Sequence, residues 1–171
     1  MPKVLTPDQC AAFGVKFGGR VMENGEMRFS ANFANGSDYI QTVMAPDQQG
    51  AWQNSHYHGG RILLPGEPPL AKGIIELIIV HSGWVAAADL LPDGTRMLNV
   101  YSRGEMWISR PGIPHNVYQR GVTHCIKYGE PVGNPEKNGA DWWPAPQDFD
   151  DWTKTLTEDA IFQFAKKVSA A

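Results

Sequence analysis

The fold of this chain of 171 residues is decided by one stretch, Gly50-Ala51-Trp52-Gln53-Asn54-Ser55-His56-Tyr57-His58. In an extended strand successive side chains point to opposite faces, so His56 and His58 project from the same face. Two imidazoles placed in this way can hold one metal ion. A third nitrogen ligand and a carboxylate from other strands would complete a site that suits iron, manganese, nickel, cobalt, copper or zinc.

Short β-like segments surround this stretch and follow one another from residue 27 to residue 128. Turn residues separate them, and no helical pattern interrupts them. The predicted strands cover residues 27–31, 39–44, 53–58, 74–80, 84–91, 97–101, 105–109, 116–118 and 124–128. The clearest hairpin joins 84–91 to 97–101, because Asp93 and Gly94 supply its turn chemistry. So many short strands predict an all-β barrel or sandwich.

Helices are predicted only near the two ends of the chain. Thr6 and Pro7 are typical of a helix start, and this helix must be short because Gly14 follows. A final helix is predicted to begin near Thr155 or Thr157, with apolar side chains on one face that dock on the rest of the protein.

The segment between the strands and the final helix has the composition of a linker. Residues 129–140 are rich in Pro, Gly and Asn, and an acidic run with three tryptophans follows. Trp142, Trp143 and Trp152 would either stack on a ligand or cover a barrel face or a dimer contact, and we favour the cover. We predict one domain over residues 1–171, with the barrel core at about 27–130 and the linker and helix at 131–171.

Composition and charge exclude several classes of protein. Hydrophobic residues make up 42% and charged residues 19%, which indicates a globular chain rather than a disordered one. The formal net charge of -3 gives no reason to expect a nucleic-acid partner. No apolar run approaches the roughly 20 residues that cross a bilayer, and the first residues lack the apolar run of a signal peptide. We therefore expect a cytoplasmic protein without a membrane partner.

The glycines around the histidine pair extend the pattern, which resembles the cupin family of small double-stranded β-helix barrels. These barrels carry a metal between two short motifs. Gly50 and the two histidines have the spacing of the first motif, and Glu76 is followed after six residues by Gly83. The second motif is matched by the spacing of three residues, Gly104, Gly112 and His115.

Three features depart from the family pattern. Between His58 and Glu76 lie 17 residues, where the family usually has three or four. Arg110 stands where Pro is usual, and Gln119 where Asn is usual. We interpret residues 59–73, rich in Pro and Gly, as an inserted loop that bulges from a strand before the chain re-enters the barrel.

The resemblance implies a cupin double-stranded β-helix, or jelly-roll barrel, with short terminal helices. It also implies one divalent transition metal, iron, manganese, nickel, zinc or cobalt, held by His56, His58, Glu76 and His115. Strand alternation supports Glu76 independently, because it shares a face with Ile78 and Val80, and a carboxylate buried in such company needs a cation or a proton. Glu67 in the inserted loop is the competing carboxylate ligand, which we rank second because strands hold ligands more firmly than loops.

Three more side chains are candidates for chemistry or substrate binding. Lys127 or Tyr128, on the last predicted strand, would supply a proton-transfer group near the metal. Arg61 in the inserted loop would clamp a carboxylate or phosphate over the barrel mouth, or else remain a solvated loop arginine.

Cupins with this ligand set include isomerases, epimerases, lyases, decarboxylases and dioxygenases, and a fold does not select among them. We favour a non-redox isomerase or lyase that acts on a small polar substrate, such as a sugar, a sugar acid or a carboxylate, by metal-assisted proton transfer. The alternatives are an Fe(II)-dependent dioxygenase and a non-catalytic metal-containing protein that binds a small molecule. The family also makes a homodimer the expected assembly.

Overall fold

A computed structural model of the chain describes residues 6–12, 15–33, 39–44 and 50–169. Strands dominate this part of the chain, with three α-helices at its two ends. The helices are α1 (Pro7–Ala12), α2 (Gln147–Thr155) and α3 (Glu158–Ser169). The strands are β1 (Val15–Val21), β2 (Met27–Phe33), β3 (Tyr39–Met44), β4 (Ala51–Trp52), β5 (His56–Tyr57), β6 (Ile75–Leu90), β7 (Arg96–Ser102), β8 (Met106–Ile108), β9 (His115–Tyr128) and β10 (Trp143–Pro144).

Two long strands, β6 and β9, organise the sheet. They pair antiparallel along almost their whole length, from Ile75 opposite Tyr128 to Asp89 opposite His115. Strand β6 also pairs with β7 and β8, while β9 pairs with β3, β4 and β5. Strands β1 and β2 extend the sheet beyond β3, and β10 adds to β5. The prediction of an all-β jelly-roll with short terminal helices is therefore confirmed.

The division of β6 and β9 into four short strands is wrong. Segments 74–80 and 84–91 lie in one strand, as do 116–118 and 124–128. Gly83 and Gly121 lie between the segments predicted as separate strands. They face each other across the ladder beside a β-bulge between Val80 and Ser82. Both have positive φ, 70° and 133°. Glycines and bulges bend a strand without ending it, so this glycine pair lets both strands turn a barrel corner together.

The barrel encloses one apolar core, and the C-terminal helices cover a second one on its outside. The inner core consists of Ile78, Val80, Val85, Ala87, Trp107, Val117 and Cys125. The outer core consists of Ala86, Ala88, Leu98, Tyr118, Phe149 and Ile161. Adjacent residues of β6 belong to different cores because successive strand side chains point to opposite faces.

The termini differ from the sequence prediction in two elements. Strand β1, which contains Gly18 and Gly19, is absent from the prediction, and helix α2 falls in the segment predicted as a linker. The final helix begins where the sequence places it: Thr157 precedes α3, and its hydroxyl accepts a bond from the Ala160 N–H. The predicted docking face is also present, since Ile161 is fully buried in the outer core. None of the helices described here has the length and hydrophobicity needed to cross a membrane.

A test of the barrel corner compares two glycines that both have positive φ. We expect Gly83→Ala to lower the free energy of unfolding by about 3 kcal/mol, because the left-handed backbone costs about 1–2 kcal/mol and a backbone clash adds to it. A Cβ at Gly83 would lie 2.1 Å from the Arg120 carbonyl oxygen. Urea unfolding followed by circular dichroism gives the measurement.

Gly104→Ala is the control, because Gly104 has φ 86° but nothing within 4 Å of a Cβ. It should lose only the conformational part, about 1–2 kcal/mol. Equal losses in the two variants would show that Gly83 is not a tight corner.

Candidate metal centre

The sheet brings together four side chains that come from three separate parts of the sequence. His56 in β5 lies directly opposite His115 at the start of β9. Glu76 lies near the start of β6, and His58 follows β5 directly. Tyr57, between the two histidines, points to the opposite face of the strand, and its ring stacks on Trp143 with 6.5 Å between ring centroids.

Three imidazoles and one carboxylate form a single buried cluster. One ligand atom from each residue lies within 4.8 Å of the others, and all four side chains are buried. The Glu76 carboxylate lies 3.7 Å from His56 Nε2, 3.3 Å from His58 Nε2 and 3.8 Å from His115 Nε2. These distances leave room for a metal ion between the atoms, as a ligand sphere with bonds near 2 Å requires.

The other ring nitrogen of each histidine is held by a backbone carbonyl. His56 Nδ1 donates to the Asn54 oxygen and His115 Nδ1 to the Ile113 oxygen, both at 3.0 Å. His58 Nδ1 donates to the Asp141 oxygen. A proton on each Nδ1 leaves each Nε2 with a lone pair, so the backbone sets the tautomer that a metal needs.

The three Nε2 atoms are the strongest sign that the cluster binds a cation. Each is buried, and no hydrogen-bond partner for any of them exists among the described residues. Buried polar atoms are rarely left without a partner, because the loss of hydration costs about 1–3 kcal/mol each. The cluster therefore fits one divalent transition metal ion, as the sequence predicts.

Lys127 is the nearest cation to this cluster, and its ammonium contacts the Glu76 carboxylate. Burial alone would raise the pKa of Glu76, but Lys127 and the neighbouring His56 and His58 more than reverse this and hold the pKa well below its usual range. Glu76 is thus an anion in the folded protein.

His56 and His115 are neutral for a different reason. Burial lowers the pKa of His56, and it lowers the pKa of His115 well below the usual value, with the charges of neighbouring histidines acting in the same direction. Neutral imidazoles are the form that binds a metal.

Asp141 ties the site to the inserted loop. One carboxylate oxygen accepts the Gly59 N–H at 2.9 Å, and the other accepts the Ile74 N–H at 2.8 Å. These two residues are the start of the loop and its return to the barrel. A Cβ on Gly73 would lie 2.9 Å from the Gly59 Cα, so the loop has a closed neck, as the sequence predicts for an insertion. Since the Asp141 carbonyl also holds His58, one residue fixes both the neck and a histidine.

A cavity of about 450 Å³ lies against the histidines. His56, His58 and Lys127 line it, and Trp142 forms part of its wall. The Trp142 ring stacks on His56, with 5.5 Å between centroids, and the Lys137 ammonium lies 5.0 Å from the Trp142 ring on the same cavity wall. This volume suits a small metabolite.

Comparison with solved structures shows which fold this is. The chain is similar to oxalate decarboxylase from Bacillus subtilis, with 12% identity, a TM-score of 0.53, and 86% of this chain and 37% of the other covered. Another structure of that protein, concerned with its Mn(II) centres, gives 11% identity and a TM-score of 0.52 over the same shares. The formate complex of oxalate decarboxylase from Lactobacillus farciminis gives 14% identity and a TM-score of 0.51, with 86% and 41% covered. The chain has the cupin fold.

This cupin barrel spans 37% to 41% of the length of those neighbours, and the likeness extends to the fold alone. The sequence matches no protein-family model, and a comparison with curated proteins gave no match. The fold is recognisable in the sequence from the spacing of the two motifs, although the overall identity to these neighbours is low.

The remaining predicted site residues lie in different places. Lys127 is in the cupin cavity, whereas Tyr128 is outside its lining and 43% exposed. Arg61 binds Glu67 within the inserted loop at 2.6 Å, so neither reaches the cluster. Trp152 covers the barrel exterior, as predicted for all three tryptophans, but Trp142 lines the cavity.

Three site residues are missing from the sequence prediction. Asp141 and Arg28 both line the cavity, but neither belongs to a motif. Asp141 lies in the acidic linker and Arg28 in an early strand, and the sequence of these segments does not indicate that they reach the site. Asp89 lies opposite His115 in the ladder and accepts a bond from the Trp107 indole at 3.4 Å. The sequence offers one signal for Asp89: it lies two residues after the buried Ala87, so strand alternation turns both side chains toward the inner core.

The first test of the metal centre is the removal of one imidazole. We expect His115→Ala to reduce bound metal from one ion per chain to less than about a tenth, because a three-donor set binds far more weakly. Elemental analysis of the purified protein measures this, and circular dichroism checks that the barrel persists. His81→Ala, an exposed histidine outside the cluster, is the control and should keep its metal. Full occupancy in His115→Ala would place the metal elsewhere.

The second test uses the pH dependence of stability in the metal-free protein. Burial raises the pKa of Asp89 from 3.8 to about 6, so folding disfavours its ionised form. This side chain therefore lowers the free energy of unfolding as pH rises from about 4 to about 6, by roughly 2–3 kcal/mol in all. We expect Asp89→Asn to gain that amount over the wild type between pH 4 and pH 7, measured by urea unfolding.

Asp93→Asn is the control for this pH series. The Thr95 N–H lowers the pKa of the exposed Asp93, so folding favours the ionised form of this side chain. Relative to the wild type, Asp93→Asn should therefore lose stability as pH rises, whereas Asp89→Asn gains it. A gain in Asp89→Asn that does not grow with pH would contradict the buried, destabilised carboxylate.

Proposed function

We propose that this chain is a metal-dependent enzyme that acts on a small carboxylate as a lyase or isomerase. Its divalent metal would be held by the four buried donors, His56, His58, Glu76 and His115. The observation that carries this proposal is that His56 and His58, whose Nε2 atoms have no hydrogen-bond partner among the described residues, line a cavity large enough for a small metabolite. A site that served only structure would have these donors closed off from a cavity.

The charge of the cavity favours an anionic substrate. Arg28, Lys127 and Lys137 line it, although the whole chain has a formal net charge of -3. Among the described residues, Asp141 is the one acidic residue in that lining, and backbone and indole N–H groups surround its carboxylate. A concave site whose lining carries more positive than negative groups favours anionic ligands.

When bound, the metal supplies a Lewis acid that polarises a carboxylate, carbonyl or hydroxyl oxygen of the substrate. The protein's own residues supply the rest. The Lys127 ammonium, beside Glu76 and 14% exposed, is placed to exchange a proton with a substrate atom in the cavity. Trp142, stacked on His56, holds that ring in place and keeps water from one side of it.

The structural neighbours agree with a carboxylate substrate, because those proteins are named oxalate decarboxylases. Their low identity leaves the substrate of this chain a proposal. The metal's identity, the homodimer and the cytoplasmic location also stay predictions.

The test of this function is isotope exchange with a panel of small carboxylates. Protein loaded separately with manganese, zinc, nickel or iron is incubated without oxygen in D2O, and mass spectrometry follows carbon-bound deuterium and loss of CO2. We expect turnover of at least one 2-hydroxy or 2-oxo acid, and we expect Lys127→Met to lower its rate about 100-fold or more while the metal stays bound. Lys127 is not a donor to the metal, so its removal leaves the four ligands in place.

Lys72→Met is the matched control, because Lys72 is an exposed lysine that pairs with Glu130 outside the cavity. It should retain the wild-type rate. Equal rates in the two lysine variants would remove Lys127 from the chemistry. Turnover that requires both iron and oxygen would replace the proposed reaction with a dioxygenase, and no turnover by any metal form would favour a binding protein.

A further inference from the structure

We propose that Arg28 forms a second anion-binding subsite, and that the substrate carries another carboxylate or a phosphate away from its metal-binding end. This inference rests on the proposed function and narrows its substrate class. The shared chemistry is a second oxyanion, which an arginine can bind through two parallel hydrogen bonds.

The position of Arg28 follows from the register of the sheet. Arg28 in β2 lies opposite Val43 in β3, which lies opposite Thr123 in β9. Thr123 in turn lies opposite Val80, a member of the inner core. Directly paired residues share a sheet face, so Arg28 points into the barrel although β2 is two strands away from β9.

A buried carboxylate fixes the orientation of Arg28. Glu26 is completely buried, and one of its oxygens accepts bonds from Arg28 Nη2 at 2.7 Å and Nε at 3.2 Å. The other oxygen accepts the Gln53 amide at 3.3 Å, which locks the carboxylate itself. A long, flexible side chain held in this way is ordered before a ligand arrives, so binding costs less conformational entropy.

The guanidinium group retains unused donors. An arginine has five N–H groups, and the bonds to Glu26 use two of them. In the described part of the chain, no residue accepts a bond from Nη1, and the side chain is 15% exposed. The remaining edge of the guanidinium therefore faces space that a ligand can enter.

That space is the junction of two cavities. The cavity at the histidines has about 450 Å³, and a neighbouring one has about 550 Å³. The two linings share four residues, Met22, Arg28, Gln53 and Asn54. A ligand with one end at the metal centre that extends past Arg28 enters the second cavity.

The charges along this path continue to favour anions. Lys127 lies at the metal end, and Lys154 lines the second cavity. In the part of the second cavity that the described residues line, Glu23 is the one acidic side chain. A substrate with a single carboxylate at the metal would reach neither Arg28 Nη1 nor the second cavity, whereas a longer dianion can contact both.

The test compares ligands that share one end and differ at the other. Gluconate, glucarate and gluconate phosphorylated at its terminal hydroxyl all present the same 2-hydroxycarboxylate to a metal. Isothermal titration of manganese-loaded protein measures each affinity. We expect the distal anion to strengthen binding about tenfold to hundredfold over gluconate, and we expect Arg28→Gln to reduce this gain to less than about threefold.

Two variants keep this test independent of folding. Loss of Arg28 alone leaves a buried carboxylate unpaired, which destabilises proteins, so the double variant Glu26→Gln with Arg28→Gln is measured as well. It should lose the same gain. Arg96→Gln is the matched control, since Arg96 also pairs with a carboxylate, that of Asp148, but lines neither cavity. Metal content and cooperative melting show that each variant is folded.

The outcomes separate this inference from the proposed function. Equal affinity for all three ligands, or a gain that persists in both Arg28 variants, overturns the Arg28 subsite and leaves a carboxylate enzyme in place. Failure of all three ligands to bind the loaded protein overturns the substrate class itself. A larger gain with glucarate than with the phosphorylated ligand identifies the second group as a carboxylate, and the reverse identifies a phosphate.

Discussion

Four buried donor groups that face one another inside the barrel are the constraint on which the rest of this protein depends. Three imidazole nitrogens have no partner among the described residues, and the adjacent carboxylate is an anion inside the barrel. A bound cation stabilises such an arrangement, because it gives the carboxylate a counter-charge and the buried nitrogens a partner. The surrounding backbone is arranged accordingly, because three carbonyl groups hold the opposite nitrogens of the rings and turn the lone pairs toward the centre.

The scaffold meets this constraint with a few backbone devices. The glycine pair Gly83 and Gly121 allows two long strands to bend together, so that residues at both ends of β9 reach the same barrel interior. Asp141 closes the neck of the inserted loop, which therefore interrupts the motif without displacing His58 from Glu76. An insertion of this length is tolerated because its two ends return to nearly the same place.

The sequence predicts the metal cluster well and its surroundings poorly. His56, His58, Glu76 and His115 are recognisable because the two motifs are short and local, and strand alternation fixes the face of each. Arg28 and Asp141 reach the site through pairing and packing over long distances, for which no local spacing exists. The broken strands and the missed helix α2 have the same origin: a glycine or an acidic run has several local interpretations, and only tertiary contacts select one.

The bond from His58 to the Asp141 carbonyl joins residues 83 positions apart. All four donor residues precede Asp141 in the sequence, so His58 has no fixed tautomer until this later segment has docked. The complete set of metal-facing lone pairs therefore exists only when the segment that contains Asp141 has closed over the neck of the inserted loop.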